Sequence, residues 1–243
     1  MDIYETYLGG QLMKKFISLF LSLTFILSVM VIPAYAESDK VMKVKSSEGR
    51  EVNFIIKADI KNQIKNEMLK ELADENPDTS NITIFAFGSA ETPAIDPRNS
   101  TAKSDSIKEV SPSLIGETWW TPAIKTYTAY SVLESDRFMA SCARGETKTV
   151  TSTLTAGLSP GYSGTALGGV SLNGSISYSI TVGTTLTGPP EGSSYNSREY
   201  RCKFYENRGT WAQVYCILGF ITNPSGTFQE PSYYLSYSVD RTV

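Results

Sequence analysis

One stretch limits what this chain can become. Residues 149–190 hold no charged side chain, 42 consecutive positions in a protein that is 19% charged. Within and beside it the residues alternate. Thr147, Thr149, Thr151, Thr153 and Thr155 interleave with Lys148, Val150, Ser152, Leu154 and Ala156. Further on, Val170, Leu172, Ile176, Tyr178, Ile180 and Val182 interleave with Ser171, Asn173, Ser175, Ser177, Ser179 and Thr181. A period of two is the strand period, because successive side chains leave opposite faces of the backbone. The pattern predicts two long strands, residues 147–157 and 170–183, each apolar on one side and hydroxylic on the other. A Gly/Ser/Pro-rich connection, residues 158–169, joins them.

The rest of the chain divides around this core. Lys14 and Lys15 precede an apolar run over residues 16–32, and Ala34-Tyr35-Ala36 follows. A basic start, a greasy centre and a small-x-small site make a secretory signal peptide over 13–36, within a leader 1–36 whose translation is expected to start at Met13. Residues 37–88 read as a small α+β unit: a strand over 52–57, a helix capped by Asp59 and carrying Ile60, Ile64, Met68 and Leu72, and a strand over 82–87. A unit of that size is marginal alone, so it docks on the next domain or serves as a propeptide. Residues 89–116, with Pro93, Pro97 and Pro112, read as a flexible linker. Residues 117–243 read as an antiparallel β domain. Strands are expected over 125–133 and 137–143 around a turn at 134–136, over 199–206 and 211–220 around Asn207-Arg208-Gly209, and over 233–239. The expected fold is mainly β: a sandwich-like or elongated antiparallel domain with long amphipathic strands, preceded by a β-α-β unit.

The available chemistry is narrow. The chain has no histidine, which removes the commonest general base and His-ligated zinc. Gly157-Leu158-Ser159-Pro160-Gly161 matches G-x-S-x-G. It is no nucleophile elbow, because Pro160 lacks the backbone N–H that must face an oxyanion. Glu134 with Asp136, or Glu199 with Glu206, are the carboxylates that a glycosidase would have to use; the plainer reading is solvated surface. Of the three cysteines, Cys142, Cys202 and Cys216, the last two fall on the inner face of the expected 199–220 hairpin and are the disulfide candidates. No metal-ligand spacing, phosphate loop or cofactor motif is present in the sequence.

Binding residues are easier to nominate. Trp119 and Trp120 leave opposite faces of a strand, so one of them is free to meet a sugar or a membrane interface unless both faces are covered. Arg201 and Lys203 alternate with Tyr205 inside a wider basic group with Arg198 and Arg208, suited to an anionic glycan or a lipid headgroup, or else simply solvated. Residues 111–243 carry nine acidic and nine basic side chains, which leaves no field to steer the domain onto nucleic acid. The hairpin residues Val150, Leu154, Val170, Leu172, Ile176, Tyr178, Ile180 and Val182 meet the length, sidedness and charge demands of a membrane β-hairpin.

The Thr/Ser-alternating strands and the break Pro189-Pro190-Glu191-Gly192 resemble aerolysin-type β-pore-forming toxins of the epsilon-toxin and mosquitocidal class, over residues 147–206. That resemblance implies an elongated β protein that forms homo-oligomers and inserts an amphipathic hairpin. One departure stands out: in those toxins an insertion hairpin lies between the long strands, whereas here only residues 158–169 separate them, too few to span a bilayer. Residues 197–239 also resemble uncharacterised secreted proteins of Gram-positive bacteria. The expectation is therefore a secreted, non-enzymatic β-rich protein that needs no cofactor and binds a cell surface, a glycan or a protein. The alternatives are a pore-forming or oligomerising toxin component that meets a membrane, and a carboxylate-based glycoside hydrolase.

Overall fold

The computed structural model describes residues 38–90 and 118–243. The leader with its expected signal peptide, and residues 91–116 of the expected linker, lie outside them. The described residues from Asp39 onward form one compact unit, and it is mainly β.

Three strands dominate: β5 (Ile124–Ala143), β11 (Ser197–Ala212) and β14 (Ser225–Arg241), of 20, 16 and 17 residues. At a rise near 3.3 Å per residue each runs roughly 50–65 Å. β11 lies between the other two, antiparallel to both. Their length corrects the sequence reading, which broke β5 at residues 134–136 and β11 at Asn207-Arg208-Gly209. Both sites are absorbed as irregularities inside a strand. The β5–β11 register shifts on either side of Arg208, Ser131 takes a left-handed φ of 54°, and its N–H donates to Asn207 Oδ1 at 3.0 Å. Pairing on both edges outweighs a local turn preference, and bulges take up the extra residues. Pro231, which has no N–H to give, sits where the β11–β14 register slips.

The N-terminal unit extends this sheet. β1 (Lys40–Lys45) pairs with β2 (Glu51–Ile56), which runs parallel to β3 (Asn81–Ser89), and β3 pairs antiparallel with β14. The sheet order is β1-β2-β3-β14-β11-β5, with the short β8 (Gly161–Tyr162) also pairing with β14. Helix α1 (Asn66–Glu75) makes the β2–β3 crossover and buries Met68, Leu69, Leu72 and Ala73 on one side. Asp59 does not cap it; residues 57–63 turn instead, Ile60 N–H donating to the Lys57 carbonyl and Gln63 N–H to the Ile60 carbonyl. The helix stops where Asn76 Nδ2 donates to the Leu72 carbonyl, with Pro77 next.

Alternation along the long strands makes two cores. Tyr205, Leu235, Tyr237 and Val239 pack with β2, β3 and α1. Cys202 and Phe204, on the opposite face, pack with Met139, Ala140, Val150, Ile176, Ile180 and Leu186. The charge-free stretch supplies that second cover, but not as two long strands. Together with Thr147 and Lys148 just before it, the stretch forms β6 (Thr147–Thr149), β7 (Leu154–Leu158), β9 (Ile176–Ile180) and β10 (Thr185–Thr187). β6 pairs with β10 and β7 with β9. The gap is held by Val150 N–H to the Thr184 carbonyl and Gly183 N–H to the Val150 carbonyl, both 2.9 Å. The expected sidedness is present: Val150, Ile176 and Ile180 face inward while Thr149, Thr151, Thr155, Ser177 and Ser179 face water.

Candidate surface-binding end

Past the end of β11 the chain builds a small separate sheet. β12 (Tyr215–Ile217) is flanked by β13 (Phe220–Thr222) and by β4 (Trp119–Trp120). Its base is tied down. Gln213, buried, donates from Nε2 to the Thr121 carbonyl (2.6 Å) and the Leu167 carbonyl (2.9 Å), and its Oε1 accepts from Leu167 N–H (2.9 Å). Thr121 N–H donates to the Val214 carbonyl at 2.9 Å, and Trp211 Nε1 donates to the Ser163 carbonyl at 2.8 Å. An ion pair between buried Glu230 and half-buried Lys125 stiffens the sheet below. Glu230 accepts from Lys125 Nζ (2.8 Å), Tyr127 Oη (2.5 Å) and Asn173 N–H (3.0 Å). Burial alone would raise the Glu230 carboxyl, but these donors outweigh it and hold it below the ordinary range.

The far end of the small sheet is greasy. Phe220 is 77% exposed, Ile221 63%, Leu218 59%, Trp120 52% and Ile217 41%. Register sets their directions. Ile217 pairs with Phe220, Cys216 with Ile221 and Trp119, and Tyr215 with Trp120. Trp120, Ile217 and Phe220 therefore share one face, Trp119 and Ile221 share the other, and Leu218 sits at the turn. Leu218 and Gly219 have φ of 50° and 87°, the double left-handed conformation of a two-residue hairpin turn in which Asn or Gly is the usual first residue.

Of the residues nominated from sequence, Trp120 belongs to this end directly, and Trp119 is half-buried beside it. Arg201, Lys203 and Tyr205 do not. Lys203 is fully buried under α1, where its ammonium meets Glu75 and, at 3.5 Å, Glu71. Tyr205 is buried too, and its hydroxyl donates to Glu71 at 2.8 Å; burial and that acid push the phenol up. Arg201 pairs with Asp136 at 3.1 Å and Glu199 at 3.0 Å. These three fasten the helix face internally, which corrects their reading as a ligand-facing group.

The carboxylates nominated for hydrolysis are similarly engaged: Glu134 with Arg137, Asp136 with Arg201 and the Tyr237 hydroxyl, Glu199 with Arg201 and Arg241, Glu206 with Arg208. Cys142, Cys202 and Cys216 are all free and buried. The Cys202–Cys216 pairing is corrected by topology, since β11 never turns back at residue 207 and the two residues lie in different sheets. Burial pushes the Cys202 thiol up to about 12. Among the membrane-hairpin residues, Val150, Ile176 and Ile180 are buried, Leu154, Val170, Leu172 and Tyr178 are half-buried, and Val182 is exposed at a turn. Neither β7 nor β9 exceeds five residues, short of the 9–11 or so of a spanning strand.

Sequence reasoning reached Trp120 but read residues 211–220 as one strand and so passed over Ile217, Leu218, Phe220 and Ile221. The available signal was a glycine splitting an apolar run inside residues 209–229, which hold no charge. Comparison with protein-family models, curated proteins and solved structures finds no match for this chain.

Proposed function

We propose that the chain is a secreted, non-enzymatic β-rich protein that attaches to a surface through the end built by β4, β12 and β13. One observation carries this: five large apolar side chains stand in solvent on a base rigidly hydrogen-bonded to the main sheet. Single exposed apolar residues are ordinary, but a contiguous group marks a contact site. The test is adsorption of the chain lacking residues 1–36 to whole cells, peptidoglycan, chitin and cellulose. The expected result is attachment to at least one, weakened several-fold by Trp120→Ala with Phe220→Ser. Attachment equal in the variant removes this end from the function.

A pore-forming or oligomerising role is the second reading. The hairpin β6–β7/β9–β10, in which Lys148 is the one charged side chain, favours it, because it lies on the sheet apolar side down and hydroxyl side out. Dye release from liposomes together with SDS-resistant oligomers would support it. A monomer that leaves liposomes tight would end it.

A further inference from the structure

The surface can be narrowed, given that reading of the β4–β12–β13 end. We propose that its partner is a lipid bilayer, and that the β12–β13 turn enters the outer part of a phospholipid membrane. Two features of the turn point there, and both concern its chemistry.

The first is that the ribbon is apolar all round. Phe220, Ile217 and Trp120 leave one face, Ile221 leaves the other and Leu218 caps the tip. A folded protein offers a ribbon one flat or grooved side. A bilayer surrounds such a tip on both faces and at its end at once. The second is that the turn works against its own backbone. Leu218 occupies a left-handed position (φ 50°) that an apolar side chain takes at a cost, whereas Asn, whose short polar side chain hydrogen-bonds locally, and Gly, which has no Cβ, take it easily. A turn optimised for folding would carry a polar residue there, so the apolar one marks a site under another demand.

Charge and depth agree with this. Residues 209–229 hold no charged side chain, so attachment is apolar rather than electrostatic and zwitterionic lipid suffices. Trp120 and Tyr215 pair three residues behind Leu218, roughly 10 Å back along the ribbon. That places aromatic rings at headgroup level when the tip sits ~5–10 Å deep.

The experiment is flotation of the full chain, without its expected leader, on phosphatidylcholine vesicles. The expected result is co-flotation that changes less than about twofold between 0.1 and 1 M salt. Leu218→Asn should lower the vesicle partition about tenfold or more while unfolding at the same or a higher temperature than the parent. Phe220→Ser and Ile221→Ser, which alter opposite faces, should each weaken it. The proposal is overturned by no flotation, by flotation confined to anionic vesicles and lost in salt, by Leu218→Asn floating like the parent, or by sensitivity restricted to one face. If vesicles are ignored but adsorption to cells or glycans is lost in Leu218→Asn, the bilayer is the wrong surface and the contact end stands. If Leu218→Asn and the face variants change neither, both readings fall.

Discussion

Lys203 offers a test in which the sign of a mutation depends on which partner is removed. Its side chain has no exposed area, while Glu71 and Glu75 on α1 keep 37% and 39%. Replacing both acids, Glu71→Gln with Glu75→Gln, leaves an ammonium buried with neutral amides. An uncompensated buried charge of this kind costs about 3–5 kcal/mol. Replacing the lysine instead, Lys203→Met, leaves two carboxylates that water already reaches and a side chain of similar length for the packed face. That change should stay within about 1 kcal/mol of the parent. The triple variant should recover most of the loss caused by the two acids. Urea unfolding at neutral pH, followed by fluorescence and analysed with a shared m-value, measures all three. For a unit of this size the double variant should also melt roughly 10 °C lower. A double variant that loses less than about 1 kcal/mol would mean Lys203 behaves as an exposed pair, and the reasoning that it pins α1 to the sheet would be refuted.

Three further predictions are independent of it. Glu230 is held below its ordinary range, so its contribution is present at neutral pH and is lost as pH falls through the depressed value; Glu230→Gln should cost about 3 kcal/mol near pH 7, and the gap to the parent should close on acidification in a series of thermal melts. Gly209→Ala should destabilise by about 1–3 kcal/mol, because a Cβ there would run into the Thr126 carbonyl and lie 2.7 Å from the Phe228 ring; a chemical-denaturation midpoint equal to the parent's would show that the strands can spread there. Leu218→Asn should leave stability unchanged or raise it by up to about 1 kcal/mol, read as the denaturation midpoint; a marked loss would mean the leucine packs against something.

The sidedness of this protein was legible and the lengths of its strands were not. Period-two alternation placed Val150, Ile176 and Ile180 inward correctly, because burial on one face leaves a direct mark on composition. It also separated Cys202 and Phe204 from Lys203 and Tyr205 on β11, yet the second pair was assigned to solvent. The acids that neutralise Lys203 come from a helix some 130 positions earlier, and no local pattern announces that contact. Turn motifs misled for the opposite reason. Asn207-Arg208-Gly209 has strong local preference, but β5 and β14 hydrogen-bond to both edges of β11 through it, and a bulge is the smaller perturbation. At the candidate site Trp120 was found as a tryptophan on a strand. Its companions were missed because an apolar run resembles a buried strand until the turn at Leu218-Gly219 is seen to send it into solvent.

The most direct test of the contact end is depth-dependent quenching of tryptophan fluorescence by brominated phosphatidylcholine. Of the three tryptophans, Trp211 is buried and hydrogen-bonded inside the main sheet, so any lipid signal comes from Trp119 and Trp120. The expected result is a blue-shifted emission quenched more by bromines near the headgroup than by bromines deep in the chains, and lost in Trp120→Phe together with Phe220→Ser. Emission left unchanged on vesicles that demonstrably carry the protein would contradict it.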